Sequence, residues 1–300
     1  MAHPTTTTTR QLVDPLTAYP RPPFPKQEQS LPGDDDRLDP APDHGEDSYI
    51  GSGRLAGLAT IITGSDSGIG KAVAIAFARE GADVLISYLD EGDDARKTAE
   101  IVEAEGRRAI AVAGDLQDEA HCRRLVEQAR DEFGRIDILV NNAAFQERRE
   151  RIEDIPTDEW ERTIRTNLTA TFWMCREAVP AMQPGASIIN VSSIQATQPS
   201  ANLLAYASTK GALVTYSKAL SSMLASRGIR VNVVAPGPVW TPLVAATTEP
   251  DQLSQFGGDT PLGRPAQPAE LAPAFVFLAS PAASYITGAV LPVTGGELYD

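Results

Sequence analysis

From residue 55 onward, short β-rich apolar runs alternate with amphipathic helical stretches. The runs occupy residues 58–63, 84–88, 109–113, 136–141, 187–192, 231–235 and 290–293. Helical patterns fill the intervals at 70–80, 95–105, 119–133, 158–179, 204–226 and 269–278. Strands that are apolar almost throughout have no face to offer to water, and each is followed by a helix that can cover it. This combination predicts an α/β fold: one doubly wound parallel sheet of about seven strands with helices on both faces. The pattern shows no internal repeat and no second core, so residues 55–300 are expected to form a single domain.

Residues 1–54 differ in kind. Nine prolines and the acidic cluster Asp34-Asp35-Asp36 stand among Thr, Gly and Ser, with little apolar periodicity. Such a segment buries too little surface to offset its ordering entropy and reads as a flexible tail. A second reading has residues 19–54 lying in extended form along the body or a neighbouring subunit. Tyr19, Phe24 and Tyr49 would be the anchors, and polyproline stiffness would lower the ordering cost.

Charge and cysteine content narrow the function classes. The formal net charge is −14, which disfavours a phosphate-backbone partner and a basic membrane-surface helix. No run of 18 apolar residues predicts a transmembrane helix, and the first residues carry no apolar leader. Only two cysteines occur, Cys122 and Cys175, which fits a reduced, cytoplasmic protein.

The first strand runs into Thr63-Gly64-Ser65-Asp66-Ser67-Gly68-Ile69-Gly70 and then a helix. Glycines at 64, 68 and 70 permit a tight turn and close approach of backbone to a pyrophosphate, at a helix N-terminus that favours the charge. Strand, turn and helix together predict a Rossmann-type dinucleotide site. A Walker-type phosphate loop is excluded because five residues separate Gly64 from Gly70, and Ala72 stands where Ser or Thr is needed. At the end of the second strand Tyr88 takes the place of the acid that would hold the ribose hydroxyls of NAD. No Arg follows it to suit NADP, and Asp90 and Glu91 come slightly late. These residues alone leave the choice of cofactor open.

Tyr206 and Lys210 are four apart on a predicted helix and share a face. That helix follows the strand ending in Ser192-Ser193, and open α/β sheets bind ligands beyond the carboxyl ends of their strands. Ser, Tyr and Lys therefore converge where the glycine turn would deliver a nicotinamide. A serine hydrolase would need a histidine base, and His3, His44 and His121 lie at no strand end. The scattered Cys and His offer no metal site. The rival from another class is a non-catalytic dinucleotide sensor or scaffold on the same fold.

These motifs, with Asn141-Asn142-Ala143-Ala144, Asn167 and Pro236-Gly237, resemble the ordered motif set of the short-chain dehydrogenase/reductase family across residues 55–300. Ala144 stands where the family more often has Gly. The segments "SSIQATQPS" and "APGPVWTPL", and the leader ending in "GSGRL", look most like a long-tailed bacterial subgroup. It contains NADP-dependent aldehyde reductases and general-stress oxidoreductases. The resemblance implies carbonyl or alcohol chemistry with NADP(H) preferred and NAD(H) possible. It counts Ser193 as the carbonyl-binding serine and Tyr206 as the proton donor, its pKa lowered by Lys210 and the oxidised nicotinamide. Asn167 would help hold a water linking Lys210 to solvent.

By the same resemblance Gly64, Ser67, Gly68, Ile69, Gly70, Tyr88, Asp115, Leu116, Asn142 and Ala143 border the cofactor. Tyr206, Lys210, Pro236, Gly237, Val239 and Thr241 do so from the nicotinamide side. Phe145, Gln195, Gln198 and Trp240 are candidates for the substrate pocket, which residues 238–265 would close as a lid. The partners expected are a small carbonyl or alcohol substrate and further copies of the chain in a homotetramer, with no nucleic acid and no membrane.

Overall fold

The computed structural model describes residues 12–300; residues 1–11 of the proline-rich segment lie outside the described residues. The elements run in chain order β1 (Ala59–Thr63), α1 (Gly68–Arg79), β2 (Asp83–Tyr88), α2 (Gly92–Ala104), β3 (Ala109–Ala113), α3 (Glu119–Phe133) and β4 (Ile138–Asn141). They continue with α4 (Thr157–Ile164), α5 (Ala170–Ala178), β5 (Ser187–Val191), α6 (Leu204–Leu224), β6 (Arg230–Pro236), α7 (Pro242–Thr247), α8 (Pro250–Ser254), α9 (Pro268–Ala279) and β7 (Val290–Val293). Seven parallel strands form one sheet in the order β3-β2-β1-β4-β5-β6-β7.

Side chains alternate across each strand, so neighbouring residues serve opposite layers. Ile62, Val84, Ile86, Val140 and Val234 pack under α1, α2 and α9. Ile61, Leu85, Leu139, Ile188 and Val231 pack under α3, α5 and the end of α6. Strand order reverses between β1 and β4. The crevice beyond their carboxyl ends is where an open sheet of this kind binds ligands.

The helix expected over residues 158–179 is interrupted. Between α4 and α5, Arg165–Thr169 form one wide π turn, closed by the Ala170 N–H on the Arg165 carbonyl. Such turns insert a residue into a helix and re-aim what they carry. Here the turn carries Asn167, which is 1% exposed.

Residues 12–54 are docked along the body. The Phe24 ring lies 4.5 Å from that of Trp240, and the Trp240 indole donates to the Pro40 carbonyl at 2.8 Å. Arg264 donates to the Pro15 carbonyl at 2.9 Å. Further along, the Asp35 carboxylate accepts from the Gly68 N–H at 3.2 Å, at the start of α1. His44 is buried within 3.1 Å of Asp35 and 3.2 Å of Glu46. Glu80, almost fully buried, accepts from the Tyr49 hydroxyl at 2.7 Å and from the Ser52 and Arg54 N–H groups at 2.9 Å each. The segment thus satisfies its own backbone and several groups of the body. Low apolar content does not show this, because the attachment is by hydrogen bonds and a few aromatic contacts.

Candidate active site

A cleft of about 520 Å³ opens at the crevice, within the range of small-molecule and cofactor sites. Gly64, Ser67, Gly68 and Ile69 line it from the glycine turn, and Tyr88, Asp115 and Leu116 from the ends of β2 and β3. Asn142, Ala143 and Phe145 line it after β4, and Ser193, Gln195, Tyr206 and Lys210 from β5 and α6. Pro236, Gly237, Val239 and Thr241 complete the far wall.

The turn is built for close approach. Gly64 has φ +61°, which favours glycine, and a Cβ on Gly70 would sit 1.9 Å from the Gly64 carbonyl oxygen. Gly70 therefore does not line the cleft but lets α1 pack onto the turn. Asn142 stabilises this shape, donating to the Thr63 and Gly64 carbonyls at 3.0 and 2.8 Å. Gly70→Ala is expected to cost about 1–3 kcal/mol of stability by overpacking, read by chemical denaturation. A midpoint equal to wild type would mean that the turn yields easily. Lys71, which follows Gly70, pairs with Glu46 at 3.1 Å.

At the other end, the Ser192 hydroxyl donates to the Lys210 carbonyl at 2.8 Å. Ser193 accepts from the Gln195 N–H at 3.2 Å and faces the Tyr206 hydroxyl. Lys210 is 2% exposed, its ammonium donating to the Val191 carbonyl at 2.8 Å and lying 5.2 Å from the centre of the Tyr206 ring. An ammonium has three donors, so most of its hydrogen-bonding capacity is left for a ligand.

The lowering of the tyrosine's pKa expected from Lys210 and an oxidised nicotinamide belongs to the cofactor-bound site, whereas burial by itself shifts both groups toward their neutral forms. Burial pushes the Tyr206 phenol up to about 12, partly offset by a hydrogen bond with Ser193. The same burial pushes the Lys210 amine down to about 7. In the chain without ligand, desolvation outweighs any help the two groups give each other.

Asn167 does not line the cleft. Its carboxamide oxygen accepts from the Phe145 N–H at 2.7 Å, and its amide donates to the Phe145 carbonyl at 2.9 Å and to Thr209 Oγ1 at 3.1 Å. Both amide hydrogens thus tie the loop after β4 to α6. Two substrate candidates are corrected. Trp240 is 1% exposed and is taken up by Phe24 and Phe256, because the docked tail covers it. Gln198 is exposed and donates to the Leu298 carbonyl, turned away from the cleft. Gln195 does line the cleft, with its amide held by Ser200 at 3.0 Å.

Several lining residues have no motif to betray them. Leu31 and Pro32 reach the cleft from the tail, and Arg148 and Arg162 from the region after β4. Asp66, Asp90 and Glu91 put carboxylates at the end near β2. Of these, Asp66 is visible inside the glycine turn and Asp90 and Glu91 beside Tyr88. The expected lid is ordered as α7 and α8, and the Gln146 amide donates to Thr247 Oγ1 at 2.6 Å to join α7 to the loop after β4.

Fold and cleft define an α/β nucleotide-binding protein with a half-buried tyrosine beside a buried lysine at the strand ends. Residues 64–297 match a family described as enoyl-(acyl carrier protein) reductase. The chain is 48% identical to an oxidoreductase of Bacillus subtilis over 91% of this chain and 94% of that one. It is 44% identical to general stress protein 39 of the same organism, over 94% and 99% of the two chains. Against the glucose and ribitol dehydrogenase of Daucus carota the identity is 43%, over 91% and 96%. A short-chain dehydrogenase from Burkholderia cenocepacia, solved in complex with NADP, superposes with a TM-score of 0.76 at 32% identity, over 81% of this chain and 98% of that one. A 3-ketoacyl-(acyl-carrier-protein) reductase from Brucella melitensis, complexed with NADH, gives 0.73 at 36%, over 81% and 98%. The chain belongs to the short-chain dehydrogenase/reductase family of oxidoreductases.

Proposed function

We propose that the protein reduces a small aldehyde or ketone with a nicotinamide dinucleotide, through Ser193, Tyr206 and Lys210. The observation that carries this reading is the convergence of those three side chains on one cleft with the glycine turn. When bound, the dinucleotide supplies the hydride. The Ser193 hydroxyl donates a hydrogen bond to the substrate oxygen and stabilises the charge that develops there. Tyr206, protonated throughout the neutral range because burial raises its pKa to about 12, delivers the proton. Lys210 offers its unused donors to the nicotinamide ribose, and Asn167 acts as a positioning residue by fixing the Phe145 loop. Oxidation of the alcohol needs Tyr206 deprotonated, so its rate should rise with pH, whereas reduction has the required form already at neutrality.

A screen of carbonyl compounds with NADPH and NADH tests the reading. Consumption of cofactor supports it, and tight cofactor binding with no turnover across a broad panel would point to a sensor instead.

NADP(H) is the preferred cofactor in this reading and NAD(H) a possible one, supported by the cofactors of the structural neighbours. The carboxylates near β2 favour the second. Burial pushes Glu91 up to about 7 and Asp66 up to about 6. Both are acids, so they gain negative charge as pH rises through those values. A 2′-phosphate beside them is therefore expected to bind better, relative to NADH, at pH 6 than at pH 8. The ratio of NADPH to NADH dissociation constants across that window measures it, and a ratio unchanged by pH would remove these carboxylates from cofactor choice.

A homotetramer is supported by the apolar side chains left exposed on α5 and α6, Phe172, Leu204 and Met223. A cytoplasmic location is supported by two buried, unpaired cysteines. No described helix is long and apolar enough to cross a membrane.

A further inference from the structure

The substrate side of the cleft holds two guanidinium groups that the proposed mechanism leaves unused. Arg148 and Arg162 line it together with Phe145, Gln146, Thr166 and Leu203. Among the described residues neither forms an ion pair, although Arg149 and Arg151, near Arg148 in the chain, close on Glu159 and Glu153.

Arg148 is held in place by one weak contact and by the fold around it. One of its terminal nitrogens donates to Asn202 Oδ1 at 3.3 Å, while its Nε is buried with no partner. The adjacent backbone is fastened to the same turn, the Arg149 N–H donating to the Asn202 carbonyl at 2.9 Å. Glu150, the nearest acid, accepts from the Asn202 amide at 3.1 Å instead of closing on the arginine. Asn202 lies four residues before Tyr206, so this turn places the cation on the approach to the reacting hydroxyl. Arg162 stacks its guanidinium 4.0 Å over the Phe145 ring, which leaves the in-plane N–H edge free.

Arg148 is half-buried and Arg162 exposed; a buried donor such as the Arg148 Nε left without a partner is costly and rarely kept without a use. A guanidinium fork matches the oxygens of a carboxylate or a phosphate. We propose that Arg148 and Arg162 form an oxyanion-binding corner of the substrate pocket. The substrate is then bifunctional: a carbonyl or alcohol at one end for Ser193 and Tyr206, and a carboxylate or phosphate at the other. This inference rests on the oxidoreductase reading above and adds the substrate class to it.

The test compares matched substrates in wild type, Arg148→Gln and Arg148→Lys. One pair is 4-oxobutanoate against butanal; the other is glyceraldehyde 3-phosphate against glyceraldehyde. Wild type is expected to favour the anionic member of at least one pair, and which pair it is tells carboxylate from phosphate. In Arg148→Gln the anionic-to-neutral ratio of kcat/KM should fall about 10- to 100-fold, chiefly through KM, with partial rescue by Arg148→Lys. A ratio that stays constant while both rates fall together would make Arg148 a structural tie between its loop and α6. A wild type that prefers the neutral members, or a neutral sugar or polyol, would overturn the proposal and leave the oxidoreductase reading intact. Absence of turnover with every carbonyl and either cofactor would remove that reading and this one with it. Thermal unfolding of each variant shows whether it is folded before its kinetics are compared.

Discussion

Tyr206→Phe should reduce kcat for carbonyl reduction about 10²- to 10⁴-fold, the usual worth of a positioned proton donor. The variant removes one oxygen from a half-buried ring and changes nothing in the glycine turn, so dinucleotide affinity should stay near that of wild type. Its thermal unfolding should also stay close, because the neutral phenol gives up one hydrogen bond, to Ser193, worth about 1 kcal/mol. Single-turnover reduction with saturating cofactor makes the comparison directly. Equal rates in the two proteins would eliminate Tyr206 as the proton donor. Loss of cofactor binding alongside activity would recast the phenol as part of the dinucleotide cradle.

A chain beginning at residue 55 should be markedly less stable than the full chain. The reason is Glu80, whose side chain is 1% exposed. Its partners, the Tyr49 hydroxyl and the Ser52 and Arg54 N–H groups, all precede the cut. Removing the partners of a buried charge costs about 3–5 kcal/mol, which in a domain of this size lowers the melting temperature on the order of 10 °C. The effect has a definite pH signature. Burial alone would raise the Glu80 pKa, but hydrogen bonds from Tyr49, Arg54 and Ser52 outweigh it and hold the carboxyl below its ordinary value. The stability from these bonds is therefore complete above the unfolded pKa and is lost as pH falls through the lower, folded one. Calorimetry from pH 7 downward should show the full and shortened chains drawing together. Identical melting at pH 7 would mean that Glu80 finds water or other partners once the segment is gone.

The sheet and the Tyr–Lys pair are legible in the sequence because both rest on short-range regularities. Continuous apolar runs announce parallel strands, and a four-residue spacing on one helix aligns Tyr206 with Lys210. The choice of Ser193 over Ser192 comes from the family resemblance and from no local rule; in the fold Ser192 donates to the Lys210 carbonyl and Ser193 faces the Tyr206 hydroxyl. Legibility ends where a residue's role depends on partners remote in the chain. Trp240 resembles a pocket residue because its ring is large and its loop lies beside the site, yet Phe24 covers it from 216 positions earlier in the chain. Arg148 sits among Arg149, Glu147 and Glu150, and no local rule tells which arginine stays unpaired. The balance of Tyr206 and Lys210 escapes the sequence for a related reason, since proximity is visible in a helix but dryness is not.

The attachment of the leading segment bears on the order in which the molecule is made. Phe24 and Pro15 leave the ribosome long before Trp240, Ser254 and Arg264, the residues that receive them, so docking waits until nearly the whole chain has been synthesised. Closing loops of this length is entropically slow, and the body can form its parallel sheet first. A nascent molecule then passes through a stage with a finished core and a bare tryptophan, exposed to chaperones and to neighbouring chains. In refolding, tryptophan fluorescence should keep changing after the backbone signal has settled, and the delay marks the last seam to close.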